Sequence, residues 1–503
     1  MNQLRPFTIL WLLPLAICWQ GCKKLITVDP PVSIIGTEEV FKTNAQANSA
    51  LAGIYAEMTG NVGSMTFSNG GLSVYGGLSA DELVPLTGTN NETEYQIFSN
   101  KLDYTNGIPM GIIWKPAYRY IYSANSVIEG IAASTSPQLE AAYRDAYTGE
   151  ALFIRAFSYF YLTNYFGDVP LALFSDYNQT RTMRKTPQAE VYAQIVRDLE
   201  EAIRLLPGDS RIGGGERVRA NKWAATALLA RVQLFRGEWE AAAGHAGAVI
   251  GEGSFNLTAD PGGAFLKASR EAIWQLKPQL GILPNNGTWD GQNFLPAQKI
   301  SGYPPSQLAE ILVPEIFIGF SPIIVPPYYL TPQAAAVFEP GDKRKLKWID
   351  SVPTPSIEPY NSIPLFYPRK YTVKRTSASG AIPEYNMILR LAEQYLIRAE
   401  ARAQLNDLAG ATADIDTVRH RAGLQPTTAT GKAELLDAIA QERRAELFTE
   451  WGHRWLDLKR TGRAQTVLGA ISTKQPWDNN QLLYPIPPEE ISANPNLKQN
   501  PGY

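Results

Sequence analysis

The groups best placed for acid–base chemistry are three glutamates near the C-terminus. Glu442, Glu446 and Glu450 are spaced four residues apart, so a continuous helix would carry them on one face. Two carboxylates in such an arrangement could be the acid and base of a glycosidase. The alternative is a structural ion-pair network, because like charges at this spacing repel and need nearby cations. The same segment supplies four arginines, Arg443, Arg444, Arg454 and Arg460. This charge balance favours the structural interpretation.

Other residue types that support catalysis or metal binding are sparse. The three histidines, His245, His420 and His453, are far apart, and none lies at a metal-ligand spacing. The glycines at 213–215 are not followed by Lys-Ser/Thr, so they form no phosphate loop. No G-x-S-x-G nucleophile motif occurs. We therefore predict that the chain has no catalytic residue, no metal site and no cofactor.

The thiol with the clearest role is that of Cys22. Residues 1–6 are polar and carry Arg5, and residues 7–19 form an apolar run that is shorter than the roughly 20 residues a membrane span needs. Gly21 then precedes Cys22, which is the pattern of a bacterial lipoprotein signal. We predict removal of the first 21 residues and lipidation of Cys22. The alternative is an ordinary secretory signal peptide cut nearby.

Cysteine usage agrees with export and lipidation. The chain has two cysteines, both in the leader region, and Cys18 follows the β-branched Ile17, which fits a peptidase pocket for small side chains poorly. If Cys22 carries lipid, the mature chain has no free thiol. Several acyl chains on one cysteine give a firm membrane anchor. Residues 22–36 contain Pro30 and Pro31, so we predict an extended tether there.

The bulk composition is that of a globular protein. The 503 residues are 45% hydrophobic and 19% charged, with a net charge of −2. A near-neutral balance argues against nucleic-acid binding, which requires clustered Lys and Arg. The most apolar stretch after the leader is 311–330, but four prolines and Glu315 interrupt it. We predict a buried irregular segment there and no transmembrane helix.

Helical periodicity accounts for much of the mature chain. Patterns of apolar residues and caps predict helices over 37–58, 114–132, 139–166 and 187–206. Residues 59–113 are rich in Gly, Asn, Ser and Thr, which predicts a long surface excursion.

Two later blocks resemble one another. In 220–251 and in 388–421, a helix with an Ala-Arg-x-Gln-Leu segment is followed by a tight turn and a second alanine-rich helix. Small residues let paired helices approach closely, as in tetratricopeptide repeats. Residues 139–206 could supply a third pair. The alternative is coincidence between alanine-rich helices.

The same chain resembles the SusD/RagB family of outer-membrane nutrient-binding lipoproteins. The resemblance covers nearly the whole mature length. Its strongest parts are 150–170 (EALFIRAFSYFYLTNYFGDVP), 442–460 and the C-terminal 483–503. Weaker matches include Cys22 with its tether and the segments 37–41 (TEEVF), 50–55 (ALAGIY), 79–82 (SADE) and 114–128. Trp451 departs from the family pattern, which usually has Gly or Glu there.

The resemblance implies an all-α fold, in which a tetratricopeptide-like helix-pair scaffold carries a loop-rich, irregular second half. It also implies a surface lipoprotein that is not an enzyme. Such a protein binds oligosaccharides and delivers them to a SusC-like TonB-dependent β-barrel transporter in the outer membrane. Uptake of peptides is the alternative, and a lipid-anchored glycan hydrolase is a more distant one. We expect residues 37–503 to form one domain, with the scaffold at about 37–58, 114–251 and 388–460 and the ligand-binding part at about 59–113 and 252–387.

We predict that the ligand site lies in the loops at 60–113 and 281–306. Sugars are bound by stacking on aromatic rings, with amides and carboxylates contacting the hydroxyl groups. Loops on a rigid scaffold are the usual place for such residues. The candidate ligand-binding residues are Tyr75, Asp81, Tyr95, Tyr104, Trp289 and Asn293. If these fail, the next candidates are Trp348 and Tyr360.

Overall fold

The computed structural model describes residues 37–60, 65–278, 287–300, 303–374 and 382–503. The predicted signal peptide, Cys22 and the tether lie outside these ranges.

Long helices dominate the N-terminal half of the chain. In chain order, the α-helices of five or more residues here are α1 (Asn44–Thr59), α2 (Gly71–Ser79), α3 (Glu92–Phe98), α4 (Lys115–Ala133), α5 (Ala141–Phe166), α6 (Gln188–Leu205), α7 (Lys222–Arg236) and α8 (Trp239–Gly251). A six-residue π-helix, Pro109–Trp114, leads directly into α4. The helices predicted at 114–132, 139–166 and 187–206 are confirmed as α4, α5 and α6. The helix predicted over 37–58 is interrupted. After one turn at Thr37–Val40, the chain starts again as α1, whose first turn is capped by the Thr43 side chain.

A loop-rich segment leaves the helical array after α8. Its described α-helices of five or more residues are α9 (Trp289–Phe294), α10 (Pro305–Ile311), α11 (Pro314–Ile324) and α12 (Lys343–Trp348). The strands of the described chain are β1 (Leu83–Pro85), β2 (Ala272–Leu276), β3 (Tyr328–Leu330), β4 (Ile349–Val352), β5 (Leu365–Pro368) and β6 (Asn386–Arg390). They pair antiparallel as β1–β3, β2–β6 and β4–β5. Strands this short brace the loops and form no larger sheet among the described residues.

The chain rejoins the array after β6. The C-terminal helices are α13 (Leu391–Gln404), α14 (Leu408–Arg421), α15 (Lys432–Glu446), α16 (His453–Arg460), α17 (Ala464–Leu468) and α18 (Pro488–Ala493). Neighbouring helices pack side by side in the order α4, α5, α6, α7, α8, α13, α14, and α15 packs against α13 and α14. The predicted all-α architecture with tetratricopeptide-like helix pairs is confirmed, and α5–α6, α7–α8 and α13–α14 are the pairs.

Small side chains join the two repeated blocks. The loop-rich segment separates α8 from α13 in sequence, yet these helices are direct neighbours in space. Their interface is a buried cluster in which Ala242 and Ala246 of α8 meet Ile397 and Ala401 of α13. Alanines at this contact allow the two blocks to approach closely.

The centre of the core is α5. Every residue from Gly149 to Phe166 is buried, so this helix is enclosed on all sides rather than on one face. The loop-rich segment reaches this centre through β2. Trp274 lies edge-on to Phe153 and Phe157, with ring centroids 4.8 and 5.2 Å apart. Aromatic packing therefore fixes the second half to the helical scaffold.

The segment 311–330 differs from its prediction as a buried irregular stretch. Much of it is helix α11, and its apolar side chains divide between a buried cluster and the surface. Val313, Ile316, Ile318, Phe320 and Ile323 are between 38% and 59% exposed. Pro314 lies in the first turn, where its missing N–H costs nothing, and Pro322 lies near the end of the helix. Pro314 therefore begins this helix, and Pro322 is accommodated inside it two residues before its end.

Among the helices described, none is alone both long and apolar enough to cross a membrane, although the bent pair α10 and α11, which meet at 105°, together reach that length and composition.

Candidate functional site

The three glutamates that could have been catalytic lie in a buried ion-pair network. Glu446 is fully buried and accepts hydrogen bonds from three guanidinium groups, those of Arg344 at 2.8 Å, Arg390 at 2.5 Å and Arg421. Arg344 also donates to Glu442 at 2.6 Å. Glu450 accepts from Arg390 at 2.8 Å and from Lys370. The structural interpretation of these glutamates is confirmed.

The geometry of the glutamates differs from the prediction in one respect. The helix α15 ends at Glu446, so Glu450 does not continue its face. Glu450 lies in a turn in which Thr449, Trp451 and Gly452 have φ values of 52°, 51° and 68°. A side chain at Gly452 would place its Cβ 2.7 Å from the Tyr165 hydroxyl, so close packing against α5 requires glycine there.

The partners predicted from the same segment are wrong. Arg443 pairs with Asp457 at 2.9 Å, and Arg460 pairs with Glu400 at 2.6 Å. Arg444 and Arg454 both bind Asp81, each at 2.7 Å. The cations of the glutamate network come instead from α12, β6 and α14, which are distant in sequence. No local pattern identifies such partners.

The electrostatics of the network oppose a catalytic role. Burial alone would raise the pKa of Glu446, but Arg421, Arg390 and Arg344 outweigh it and hold this pKa well below its usual range. Burial also dominates at Glu442, where it raises the pKa despite the contact with Arg344. Neither carboxylate is open to solvent. Within the described ranges, no group of three or more His, Cys, Asp or Glu side chains could hold a metal ion.

Two of the predicted ligand residues are in the core. Tyr75 belongs to α2, in which every residue is buried, and Asp81 is 5% exposed and bound by two arginines. The predicted surface excursion is therefore wrong for this part of 59–113. The glycines of α2 serve close packing. A Cβ at Gly76 would lie 2.6 Å from the Cα of Gly452. Glycine-rich sequence predicted a surface excursion, but the glycines of α2 belong to a helix packed against backbone.

The remaining candidates lie nearer the surface. Tyr104 is 49% exposed and has no recorded side-chain partner in the described chain. Tyr95 is partly buried, with its ring 5.9 Å from that of Phe98. Trp289 is partly buried, and its indole N–H has no hydrogen-bond partner among the described residues. Asn293 donates to the sulfur of Met65 at 3.2 Å.

The structure brings part of the two predicted loops together. The backbone at Gly70 faces Trp289 so closely that a Cβ there would lie 2.9 Å from the Trp289 Cβ, and Asn293 contacts Met65. Residues 281–286 of the second loop lie outside the described residues. Of the two reserve candidates, Trp348 is fully buried and Tyr360 is partly buried. The surface candidates are thus Tyr95, Tyr104, Trp289 and Asn293.

Asp290 lies beside Trp289 in the second predicted loop, and its burial was not predicted from the sequence. Its carboxyl group is buried, one oxygen has no hydrogen-bond partner in the described structure, and burial raises its pKa to about 6. The group lines a small pocket of about 10 Å³ with Lys370, Tyr371 and Glu450. That volume is enough for about one water molecule. No sequence signal distinguishes this aspartate from a surface one.

Comparison with known proteins identifies relatives over both halves of the chain. A model of the SusD family matches residues 282–503, and a second family model, described as starch-binding associating with outer membrane, matches residues 45–234. SusD-like protein P2 of Formosa agariphila is 27% identical to this chain, and the match covers 96% of this chain and 97% of the relative.

Solved structures share the fold. A SusD superfamily protein from Bacteroides vulgatus superposes with a TM-score of 0.73 at 21% identity, covering 92% of this chain and 100% of that one. A structure described as a laminarin-binding SusD-like protein gives a TM-score of 0.72 at 23% identity, with the same coverage.

Proposed function

Because the chain belongs to the SusD/RagB family, we propose that it is a surface lipoprotein that binds oligosaccharides and delivers them to a TonB-dependent outer-membrane transporter. The observation that carries this proposal is the match to two family models, one of which is described as starch-binding and associated with the outer membrane. The predicted lipid on Cys22 would hold the protein at that membrane. A binding role, not hydrolysis, fits the burial of the carboxylate network.

Sugar binding is supported by the surface candidates. Tyr104 presents about half of its side chain to solvent, and Trp289 and Asn293 lie together at the meeting of two segments. Flat rings beside an amide are suited to a sugar, because the ring takes the C–H face and the amide contacts hydroxyl groups. We assign the primary ligand site to Tyr95, Tyr104, Trp289 and Asn293. Tyr75 and Asp81 are left out because they are buried.

The transporter partnership is supported by the apolar surface of α11. Five large apolar side chains are exposed within 313–323, and patches of this kind mark interaction sites. Between Lys299 and Lys343 the sequence has no Lys or Arg, whereas helices that bind membrane surfaces are usually rich in them. Glu310 and Glu315 would repel the same acidic surface of a second copy. We therefore assign α11 to a protein partner with an apolar surface and basic rim, and propose that this partner is the transporter.

The experiment for ligand binding uses affinity gels containing laminarin, amylopectin, xylan, mannan or pectin, followed by calorimetry with fragments of any glycan that retards the protein. Tyr104→Ala and Trp289→Ala should each weaken binding by about tenfold, since each removes a stacking surface. Trp289→Phe keeps a ring and should retain most of the affinity. Tyr143→Ala is the matched control, because Tyr143 is 40% exposed but lies on α5.

Three results would count against the proposal. If no glycan retards the wild-type protein, oligosaccharide binding is wrong, and a peptide panel tests the alternative nutrient. If a glycan binds equally well to all variants, the function stands but the site must be moved, first toward Tyr360. Release of reducing sugars from a retained glycan would instead indicate a hydrolase.

A further inference from the structure

An aromatic groove lies on the helical scaffold, outside the ligand loops. It has a volume of about 290 Å³ and runs between α4, the segment 170–181 and α18. Tyr122, Phe174 and Tyr177 line it and are 57%, 50% and 71% exposed. Only six aromatic side chains of the described chain are exposed, and three of these six lie together at this groove. Exposed rings usually occur singly, and their concentration needs an explanation.

The backbone that carries these rings is held rigidly by buried side chains. The Asn125 amide donates to the carbonyls of Ala172 and Phe174 at 3.0 and 3.3 Å, and its oxygen accepts from Arg155 at 2.9 Å. Tyr159 adds a hydrogen bond to the Ala172 carbonyl at 2.9 Å. The segment 171–175 has no regular secondary structure, so these side chains determine its path.

A second set of contacts fixes the end of this segment. The backbone N–H of Ser175 donates to Glu129 of α4 at 3.0 Å, and the Tyr118 hydroxyl donates to the Pro170 carbonyl at 2.8 Å. Tyr177 then opens a helical turn that Asp176 caps through the Asn178 N–H. Phe174 and Tyr177 are thus presented on a preorganised support, which lowers the entropic cost of binding a ligand.

The polar groups at the groove suit a neutral, hydroxyl-rich ligand. The hydroxyl groups of Tyr122 and Tyr177 have no recorded partner among the described residues, so they remain available to donate and accept hydrogen bonds. Charges of both signs surround the rings, with Lys115 and Arg181 opposed by Asp176 and Glu490. Such a balance offers no net attraction to an anion. Rings with mixed polar groups match the two faces of a sugar.

We propose that this groove is a second carbohydrate-binding site, separate in sequence from the primary site and formed by Tyr122, Phe174 and Tyr177. The inference rests on the proposed function, because it takes the ligand class from it. Two sites on one protein would hold a long glycan at two points. The second contact then forms at a high effective concentration and slows release of the chain. A short oligosaccharide that fills only the primary site would gain nothing from the groove.

The test compares three variants, and a fourth that combines the first two, with the wild type. The groove variant is Phe174→Ala/Tyr177→Ala, the loop variant is Tyr104→Ala/Trp289→Ala, and the control is Tyr143→Ala. Each is run in affinity gels with the polysaccharides named above. The groove variant should bind the retained polysaccharide about five- to tenfold more weakly. Its thermal midpoint should match that of the wild type, because both side chains are exposed. The loop variant should keep weak retention, which disappears when the groove substitutions are added.

A direct measurement locates the contact. Hydrogen exchange with long fragments of the retained polysaccharide should protect backbone amides in 171–181, and the groove variant should lose that protection. If the groove variant retains polysaccharide as well as the wild type does, and no amide in 171–181 is protected, the second site is overturned and the proposed function stands. If the groove variant loses polysaccharide retention and the loop variant keeps it, the groove is a binding site and the placement of the primary site in the loops is wrong. If the wild type retains no polysaccharide, both the second site and the proposed function are overturned. If a purified transporter protects 171–181 instead, the groove binds a protein and the second carbohydrate site is wrong.

Discussion

We predict that Glu446→Gln lowers the free energy of unfolding by about 3 kcal/mol and leaves ligand binding unchanged. Removing one partner of a buried ion pair costs about 3–5 kcal/mol. We expect the lower end of this range, because each arginine bound to Glu446 also binds another carboxylate that remains in the variant. Arg344 retains Glu442, Arg390 retains Glu450, and Arg421 retains Glu271 at 3.0 Å. The glutamine amide nevertheless places donors against guanidinium donors, so at least one of them loses its acceptor.

Urea unfolding of the purified protein at pH 7 measures the effect, with Glu442→Gln as the matched control. Glu442 is buried on the same helix but accepts one short hydrogen bond from Arg344 and one of 3.4 Å from Arg419, so its loss should be smaller. Because the arginines depress the pKa of Glu446 despite its burial, its contribution is complete above the ordinary carboxyl pKa of about 4.3 and is lost as pH falls toward the lower folded value. The difference from wild type should therefore shrink below about pH 4. Unchanged unfolding together with lost binding or a lost enzymatic activity would refute the structural role.

Three further predictions test the anchor, the buried carboxyl group and the partner surface. Cys22→Ala should abolish labelling by a radioactive fatty acid and release the protein from membranes, and equal labelling would disprove the assignment. Asp290→Asn should stabilise the protein at pH 7 by on the order of 2–3 kcal/mol, because burial raises the pKa of Asp290 to about 6. The folded wild type therefore loses stability as the pH rises from about 4 to 6, and the variant should not. A variant that keeps the wild-type pH profile of unfolding would exclude this cause. Ile318→Glu should reduce co-purification of the protein with a large β-barrel from mildly solubilised outer membranes. Leu346→Glu, at a 78% exposed position outside α11, should leave co-purification unchanged. Equal recovery of the β-barrel with both variants would assign the contact elsewhere.

Local periodicity predicted the helical scaffold well. The alanine-rich pairs followed from small residues at helical spacing, and the structure places Ala246 and Ala401 at their shared interface. The prediction that Glu446 belongs to an ion network needed only the repulsion between like charges on one helix. Both inferences depend on residues that are close in sequence. The partner cations, such as Arg344 and Arg421, are far away, and the chain alone did not reveal them.

The amino-acid composition gave wrong predictions in two segments, because glycine and proline can occur in helices as well as in loops. In α2, the glycines allow α16 and its preceding turn to approach, and Tyr75 is therefore buried where a loop was predicted. In α11, the prolines lie where a helix tolerates them, and the exposed apolar face around Ile318 was predicted to be buried. The aromatic groove was missed because Phe174 and Tyr177 sit in a short segment without periodicity. Their significance appears only once Tyr122 of α4 is seen beside them.

The buried charges explain how a loop-rich ligand half can be rigid. Arg344 of α12 and Lys370 belong to that half, while Arg421 and Glu446 belong to the helical scaffold, and all four meet in one network. Hydrophobic contacts such as that of Trp274 with α5 favour the same docking but tolerate small rotations, whereas charge-assisted hydrogen bonds require fixed directions. We therefore expect Glu446→Gln to increase hydrogen exchange in α12 more than in α6, which lies in the helical array away from the network. Equal exchange in both helices would show that apolar packing alone holds the two halves in place.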